Sequence, residues 1–310
     1  MRTVFMGTPD FAVGTLEALL DAGHEVAAVV TQPDKPKGRG KNMQASPVKE
    51  AALAHDLPVL QPKRVREEAF LQQMEEIAPE VIVVVAFGQI IPKRLLDLPR
   101  YGCLNVHASL LPEYRGAAPI QWAVVDGRKK SGVTIMQMNE GLDTGDILAV
   151  CETELTPDET GGSLFDRLSS MGAELLVKTL PKLGTGELTP VPQPAESPNA
   201  YARMITKQDG RIDWTADASS IERLIRGMNP WPSAYTGRKG KMLKIWRAGV
   251  RSEDSSAAPG TVCQAGKDGL IVQTGRGQLQ ILELQAEGKK RMTADAFLRG
   301  NAVEPGEILG

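Results

Sequence analysis

The first half of the chain alternates short apolar runs with stretches of helical periodicity. Thr3–Met6, Val26–Val30 and Val81–Ala86 are apolar and mostly β-branched, which is typical of buried strands. Between the first two runs, apolar residues recur at helical spacing up to Gly23, at Phe11, Leu16, Leu19 and Leu20. Strands that alternate with helices indicate βαβ units. The pattern therefore predicts an α/β protein with an open, mostly parallel sheet.

The same pattern continues to residue 183. Ser46-Pro47 is typical of a helix start, with an N-cap serine followed by proline at the first helical position. We expect further strands near 102–107, 133–138 and 147–153, and helices near 47–55, 121–126 and 163–183.

The composition changes at residues 190–198, which hold four prolines. So many prolines exclude a helix or a central strand and favour a semi-rigid linker. We predict a first domain at 1–189, a linker at 190–205 and a second domain at 206–310. In the second domain, one helix (218–226) precedes short apolar runs separated by glycines (242–246, 260–263, 270–274 and 279–284), which favour a small barrel or sandwich.

Length and charge agree with two domains. The chain has 310 residues and a formal net charge of −2. Residues 1–205 carry 20 basic and 26 acidic side chains, whereas residues 206–310 carry 16 and 12, so the second domain is the basic one. A basic domain can neutralise the phosphates of a nucleic acid.

Cysteine usage and hydropathy predict the compartment. The three cysteines are far apart, which fits reduced thiols, and with three histidines they show no metal-ligand spacing. The longest apolar run, Val81–Phe87, is far shorter than a membrane span, and the first residues lack signal-peptide features. We expect a cytoplasmic protein with no membrane partner and no metal.

A glycine turn, Gly7-Thr-Pro-Asp10, follows the first strand, where a dinucleotide-binding fold has its phosphate loop. The turn lacks the G-x-G-x-x-G spacing, and Pro9 has no amide hydrogen to offer a pyrophosphate. A tight strand-to-helix turn at the ligand edge of the sheet is the favoured interpretation.

Asn105 and His107 are the first candidates for chemistry. Two residues apart on a strand, they face the same side near its carboxyl end, where open α/β sheets bind ligands. An amide and an imidazole side by side could stabilise an oxyanion, and a satisfied core pair is the alternative. The segment that follows contains the polar Ser109 and the Arg115-Gly116 pair, which suits the mouth of a site better than a core.

Asp143 and Cys103 are weaker candidates. Asp143 lies in a glycine-containing loop, 139–146, that could turn a carboxylate towards an imidazole, although a surface Asx-turn explains the same residues. Cys103 precedes Asn105 by two residues, so either a nucleophile or a buried, unreactive thiol fits, and we favour the thiol.

Taken together, the motifs resemble the formyltransferases that use 10-formyltetrahydrofolate. The resemblance rests on Asn105-Val-His107, Ser109-Leu-Leu-Pro112, Arg115-Gly-Ala-Ala-Pro-Ile-Gln121 and Gly141-Leu-Asp-Thr-Gly-Asp146. The resemblance is strongest to the family members that formylate methionine on initiator tRNA. This narrower resemblance rests on residues 1–14 and 31–41, and on Ile212-Asp-Trp214 and Asn229-Pro-Trp-Pro232. It implies a Rossmann-like catalytic domain followed by a small, OB-like β-barrel.

The resemblance also implies roles for individual residues. Asn105 and His107 would stabilise the oxyanion formed when the methionine amine attacks the formyl group, and Asp143 would orient His107 and assist proton removal. The folate co-substrate would lie against Ser109, Leu110, Leu111 and Pro112, and against Phe87, Gly88, Gln89 and Ile90.

Contacts to methionyl initiator tRNA are expected from two basic groups. By resemblance, the loop with Lys35, Lys37, Arg39 and Lys41 contacts tRNA, with Arg39 the strongest candidate, although basic loops are usually solvated surface. In the second domain the candidates are Lys207, Lys241, Lys244, Arg247, Lys289, Lys290 and Arg291. Trp214, Trp231, Trp246 and Phe297 are expected in the core of that domain rather than as stacking surfaces for bases.

Two alternatives stay open from sequence. A folate-dependent enzyme could use a sugar amine, glycinamide ribonucleotide or water as acceptor, but a small acceptor needs no extended cationic surface. A non-catalytic tRNA-binding module would have no need of the Asn105, His107 and Asp143 set. We expect a monomeric enzyme.

Overall fold

The chain forms two compact units in a computed structural model that describes residues 1–37, 42–267 and 269–310. One unit comprises Met1–Pro119, Lys130–Thr153 and Phe165–Ala202. The other comprises Ile120–Lys129, Glu154–Leu164 and Arg203–Gly310. The units therefore interleave along the sequence, whereas the predicted domains are consecutive.

Hydrogen bonds within the second unit explain the interleaving. The Gly162 amide donates to the carbonyl of Asn229 over 2.8 Å. The Arg223 guanidinium donates to the carbonyl of Val125 over 3.1 Å. Two segments from the first half of the sequence are thereby held by the segment 218–229, which composition alone does not reveal.

A seven-stranded sheet is the core of the first unit. The strands of the first unit are β1 (Arg2–Gly7), β2 (Glu25–Val30), β3 (Lys35–Lys37), β4 (Asn42–Gln44), β5 (Val59–Leu60), β6 (Val81–Val85), β7 (Cys103–His107), β8 (Lys130–Gln137) and β9 (Ile147–Glu154). Strands β3 and β4 form a separate two-stranded ribbon. The order in the seven-stranded sheet is β5-β2-β1-β6-β7-β8-β9; the neighbours from β5 to β7 are parallel, while β7 and β8 are antiparallel. The predicted, mostly parallel sheet is confirmed.

Helices connect the strands. They are α1 (Asp10–Asp21), α2 (Pro47–Ala54), α3 (Glu68–Ile77), α4 (Lys93–Leu96), α5 (Pro119–Val125) and α6 (Gly161–Thr185). The predicted start of α2 is confirmed, because the Ser46 hydroxyl accepts a hydrogen bond from the Lys49 amide over 3.1 Å. Helix α3 was not predicted from the sequence, although it buries Phe70, Leu71 and Met74 at helical spacing.

An antiparallel sheet is the core of the second unit. Its order is β10-β11-β14-β13-β12, with β15 beside β14. The elements are α7 (Ala218–Gly227), β10 (Ala234–Arg238), β11 (Lys241–Arg251), β12 (Val262–Gly266), β13 (Gly269–Gln273), β14 (Gln278–Ala286), β15 (Met292–Thr293) and α8 (Ala294–Gly300), preceded by a 3₁₀ turn at Lys207–Gly210.

The C-terminal residues link the two edge strands of this sheet. On the β12 side, the Val262 amide donates to the Glu307 carbonyl over 2.8 Å. On the β10 side, the Gly310 amide donates to the Gly237 carbonyl over 3.0 Å. The tail thus bonds to both open edges, as the closure of a barrel does.

The aromatic residues of the second unit divide into two groups. Trp214 and Phe297 are buried in its core, as predicted. Trp246 is partly exposed, so its predicted core position is wrong. Trp231 is 53% exposed, so its predicted core position is wrong as well. It stands between Pro230 and Pro232 in a loop, where no regular element carries its side chain inwards.

Candidate active site

Strand β7 brings Asn105 and His107 to one face of the sheet. Both pair with β8, Asn105 opposite Met136 and His107 opposite Thr134. His107 is buried, whereas Asn105 is partly exposed. The expected arrangement of an amide and an imidazole two residues apart is therefore present.

Asp143 approaches this pair from the loop between β8 and β9. Its backbone has φ +55°, a left-handed conformation that non-glycine residues seldom adopt. Two residues later, the loop passes so close to β8 that a Cβ at Gly145 would overlap the carbonyl of Gln137. The loop needs a glycine there in order to turn the carboxylate back over the strand.

The side chains of Asn105 and His107 converge on one carboxylate oxygen of Asp143. Asn105 Nδ2 lies 3.5 Å from Asp143 Oδ1. His107 Nδ1 lies 3.9 Å from the same oxygen, which allows an ion pair but exceeds hydrogen-bond length. The structure thus brings together three residues that are separated by up to 38 positions in the sequence.

The second ring nitrogen of His107 has a partner of its own. His107 Nε2 lies 3.1 Å from the carbonyl oxygen of Tyr114. A carbonyl only accepts hydrogen bonds, so we assign the donor proton to Nε2. Nδ1 is then the ring nitrogen that faces Asp143.

A backbone amide holds the other oxygen of Asp143. Gly116 N–H donates to Asp143 Oδ2 over 2.9 Å. Gly116 has φ +131°, and a Cβ there would lie 2.5 Å from the carbonyl oxygen of Ala202. Glycine at this position therefore permits both the backbone conformation and the close approach of the 202 backbone.

The loop 109–112 directs its polar groups inwards. The Ser109 hydroxyl donates to the carbonyl of Glu113 over 2.6 Å. Thr134 Oγ1 donates to the Ser109 carbonyl over 2.7 Å and accepts from the Leu111 amide over 3.1 Å. Ser109 and Leu111 are buried, whereas Leu110 and Pro112 are partly exposed. Leu110 and Pro112 are consequently the residues of this loop whose surface is open to a ligand.

The loop 87–90 also has part of its polar groups hydrogen-bonded within the protein. The Phe87 carbonyl accepts hydrogen bonds from Thr8 Oγ1 over 3.1 Å and from Gln32 Nε2 over 3.2 Å. Gln89 Oε1 accepts from the Val65 amide over 3.0 Å. The side chain of Phe87 is buried, so Gly88 and the 75% exposed Ile90 are the accessible members of this predicted folate surface.

The predicted tRNA contacts of the first domain are described only in part. Lys35 is exposed at the start of β3, and Lys37 ends the same strand. Arg39 and Lys41 lie outside the described residues.

In the second unit, two of the predicted tRNA contacts lie beside the ring of Trp246, and a third approaches a carboxylate that one of these two also contacts. The Arg291 guanidinium carbon lies 5.1 Å, and Lys244 Nζ 5.7 Å, from the centre of the Trp246 ring. Arg291 and Arg247 both approach Glu283, with Nε–carboxylate oxygen distances of 2.6 and 3.7 Å. We call these five residues the Trp246 patch. The remaining candidates of the second unit are exposed: Lys207, Lys241, Lys289 and Lys290.

One residue that contacts the Asp143 loop, Gln193, was not singled out from the sequence. Gln193 Nε2 donates to the carbonyls of Asp143 and Gly145 over 3.1 and 2.7 Å. Its Oε1 accepts from the guanidinium of Arg115, which is 6% exposed. Gln193 lies in the proline-rich stretch, whose composition indicates a linker, and only its position among prolines marks it.

Tyr201 adds a phenol near the same carboxylate. Tyr201 is 53% exposed, and the partial burial of its phenol, followed by the negative charge of Asp143, raises its pKa. No step of the sequence argument used this residue, because it follows the proline-rich stretch with no motif around it.

Cys103 is a poor nucleophile in this structure. It is buried, and burial, with a smaller contribution from the charge of Asp97, raises the pKa of its thiol to about 12. The thiol therefore stays protonated near neutral pH and donates to the carbonyl of Leu95.

Across residues 1–37, 42–267 and 269–310, no group of three or more His, Cys, Asp and Glu side chains is arranged to hold a metal ion. None of the helices in the described part of the chain is both long and apolar enough to cross a bilayer.

Comparison with known proteins gives consistent results. The family described as "Formyl transferase" matches residues 1–180, and "Formyl transferase, C-terminal domain" matches residues 204–302. The methionyl-tRNA formyltransferase of Lachnospira eligens is 58% identical over 315 residues, which cover 100% of both chains. That of Agathobacter rectalis is 56% identical over 309 residues, which cover 100% of this chain and 99% of the relative.

The fold also matches a solved structure. The N-formyltransferase from Helicobacter canadensis, in complex with folinic acid and dTDP-3-aminofucose, is similar with a TM-score of 0.68 and 18% identity. The match covers 91% of this chain and 99% of that chain. At this identity, the likeness shows a shared fold.

Proposed function

Because the chain belongs to the methionyl-tRNA formyltransferase family, we propose that Asn105, His107 and Asp143 carry its reaction. That reaction is formyl transfer to the α-amino group of methionine on initiator tRNA, which gives formylmethionyl-tRNA for translation initiation. The donor is a folate, and we propose that it is 10-formyltetrahydrofolate. The observation that carries the proposal is the convergence of Asn105 and His107 on Asp143 Oδ1, at 3.5 and 3.9 Å.

The first step is direct attack of the neutral amine on the formyl carbon. A carbon–nitrogen bond forms, and the electron pair of the carbonyl moves onto its oxygen. Asn105 Nδ2 carries two hydrogens, so one faces Asp143 and the other is available to the oxyanion. A preorganised donor of this kind stabilises the charge that develops in the transition state.

His107 is proposed to supply the second donor through Nδ1. Since Nε2 bonds to the Tyr114 carbonyl, a ring that also donates from Nδ1 carries both protons and a positive charge. The carboxylate of Asp143, 3.9 Å away, stabilises that charge. The tetrahedral intermediate then collapses as its bond to the folate nitrogen breaks.

Asp143 is proposed to handle the proton of the attacking amine. It takes this proton directly or through a water, and the leaving nitrogen of the folate receives one in turn, so no net proton is consumed. No covalent enzyme intermediate is needed, which agrees with the inert environment of Cys103.

The two substrates are proposed to bind through different interactions, the folate through apolar contacts and the tRNA through electrostatic ones. Apolar surface at Leu110, Pro112 and Ile90, with the backbone of Gly88, suits a flat, conjugated folate ring. The basic loop from Lys35 and the residues 206–310, with their excess of positive charge, would neutralise tRNA phosphates. We propose a monomeric, cytoplasmic enzyme with no membrane partner.

Incubation with defined substrates tests this function. Purified protein, 10-formyltetrahydrofolate and methionyl initiator tRNA should yield formylmethionyl-tRNA, and His107→Ala should remove most of the rate. The matched control is His55→Ala, since His55 is exposed after the end of α2 and outside the site. Product from a dTDP-amino sugar or from glycinamide ribonucleotide, with none from tRNA, would contradict the proposal.

A further inference from the structure

We propose that Gln193, clamped by Arg115, is a positioning residue that fixes Asp143 for catalysis. The inference rests on the proposed function, because it assigns Asp143 a place in the reaction. It gives the segment 193–195 a role at the active site that its linker-like composition does not suggest. We call this segment the strap.

Gln193 bonds in two directions at once. Its Nε2 donates to the carbonyl of Asp143 over 3.1 Å and to that of Gly145 over 2.7 Å. Its Oε1 accepts from Arg115 Nε over 3.1 Å and from Nη2 over 2.9 Å. The amide is therefore fully used, with both donors on the Asp143 loop and its acceptor on the arginine.

Arg115 anchors the strap through its backbone as well. Its Nη2 donates to the carbonyl of Pro194 over 2.7 Å, and its Nη1 to that of Ala195 over 3.0 Å. Arg115 is only 6% exposed, so the N–H donors of its guanidinium need partners within the protein. They donate to three uncharged oxygens from consecutive residues, the Gln193 side-chain oxygen and the carbonyls of Pro194 and Ala195. The planar fork thus matches one specific conformation of the strap.

The contacts form a closed ring around Asp143. The residue after Arg115, Gly116, donates its amide to Asp143 Oδ2 over 2.9 Å. Gly116 therefore holds the Asp143 carboxylate, and Gln193 holds the Asp143 carbonyl. Both are connected to Arg115, because Gly116 is the next residue in the chain and Gln193 accepts hydrogen bonds from the guanidinium. A movement of the loop breaks hydrogen bonds at both ends.

The ring explains how Asp143 keeps an unusual backbone conformation. An aspartate at φ +55° occupies a sparsely populated backbone conformation, whose energetic cost the surrounding hydrogen bonds offset. Without the donor from Gln193, the loop can relax and move the carboxylate away from Asn105 and His107. The prolines beside Gln193, at 192 and 194, restrict the unfolded strap and so lower the entropy lost when it is held.

The first test replaces the amide with an isosteric, apolar side chain. Gln193→Met should lower kcat by about 10- to 100-fold, because a displaced catalytic group loses rate without losing substrate binding. KM for tRNA and for the folate should change by less than about threefold. A kcat within about twofold of wild type would overturn the proposal.

The second test separates positioning from general stability. In an Asp143→Ala background, Gln193→Met should lower the residual rate by less than about twofold, since there is no carboxylate left to place. If Gln193→Met lowers the rate by the same factor with and without Asp143, the residue has a merely structural role and the inference fails.

A matched control and a conservative variant complete the design. Gln273, 3% exposed, also donates its amide to two carbonyls, those of Thr274 and Gly277, but in the second unit. Gln273→Met should lower the melting temperature and leave kcat within about twofold. Arg115→Lys, which keeps the charge but not the fork, should retain more kcat than Arg115→Met.

Wild-type protein assayed alongside separates the two proposals. If wild type yields no formylmethionyl-tRNA, the proposed function is wrong. If wild type is active and Gln193→Met equals it, the function stands and the positioning role is wrong.

Discussion

The candidate active site and the Trp246 patch use polar residues in opposite ways. At the site, His107 is buried and Asp143 is held by named donors on both oxygens. In the patch, Arg247 and Arg291 share one carboxylate, Glu283, and keep exposed guanidinium groups. The site holds individual side-chain atoms in defined positions, whereas the patch offers a local concentration of positive charge.

This difference predicts different responses to substitution. A buried network loses its function when one member is removed, because the others cannot move to replace it. Exposed cations each contribute a small, salt-dependent part of the affinity for a polyanion. Substitutions at the site should therefore lower kcat, whereas substitutions in the patch should weaken tRNA binding.

The largest effect is expected at His107. His107→Ala should lower kcat by about 100- to 1,000-fold, because it removes the proposed donor to the oxyanion together with a neighbour of the Asp143 carboxylate. KM should change little. Steady-state kinetics with both substrates varied will measure this, and a loss confined to KM would contradict the assignment.

The next effect concerns the patch. Replacing Lys244, Arg247 and Arg291 together by Ala should weaken tRNA binding by roughly 10- to 100-fold and reduce the slope of log Kd against log salt by up to about 3. Glu283→Gln is the control, because it removes the carboxylate that both arginines of this set face. That variant should bind tRNA at least as tightly as wild type, and weaker binding would contradict the electrostatic account.

A smaller effect is expected on stability at the start of α7. The Asp217 carboxylate caps this helix by accepting from the Ser220 amide over 2.8 Å. Asp217→Ala should lower the free energy of unfolding by about 1 kcal/mol, with kcat unchanged. Urea titration at neutral pH will measure the loss, and an unchanged midpoint would contradict the role of the cap.

The same residue gives a pH dependence with a defined sign. Hydrogen bonds from the Ser219 hydroxyl and then the Ser220 amide lower the pKa of Asp217 from 3.8 to about 2. Its stabilising contribution is therefore complete above pH 3.8 and is lost as the pH falls towards 2. Asp217→Asn keeps the cap and should remove this part of the acid dependence.

The smallest effect is expected at Cys103. Cys103→Ala should leave kcat within about twofold, and the native thiol should resist alkylation at neutral pH because burial raises its pKa to about 12. Mass spectrometry after iodoacetamide treatment will check this. Rapid modification of Cys103 with loss of activity would restore the nucleophile hypothesis.

The sequence predicted local elements better than long-range contacts. The continuous apolar run at Val81–Val85 and the Ser46 cap identify their elements without tertiary information. The position of Asn105 and His107 followed from the two-residue repeat of a strand. Helix α3 was missed, although its buried residues lie at helical spacing.

Other features depend on residues far apart in the sequence. Gln193 reaches the Asp143 carbonyl across 50 positions, and no local pattern encodes that contact. The prolines that indicate a linker equally suit a strap fixed against a loop, and only the fold separates these roles. Trp231 was predicted as core from residue type, but two neighbouring prolines keep it in an exposed loop.

One measurement tests the division between chemistry and binding most directly. The single-turnover rate constant of formyl transfer, with enzyme and both substrates saturating, is independent of affinity. For the Lys244, Arg247 and Arg291 triple variant it should stay within about threefold of wild type, and for His107→Ala it should fall by about 100-fold or more. A slow triple variant beside a fast His107→Ala enzyme would contradict the account.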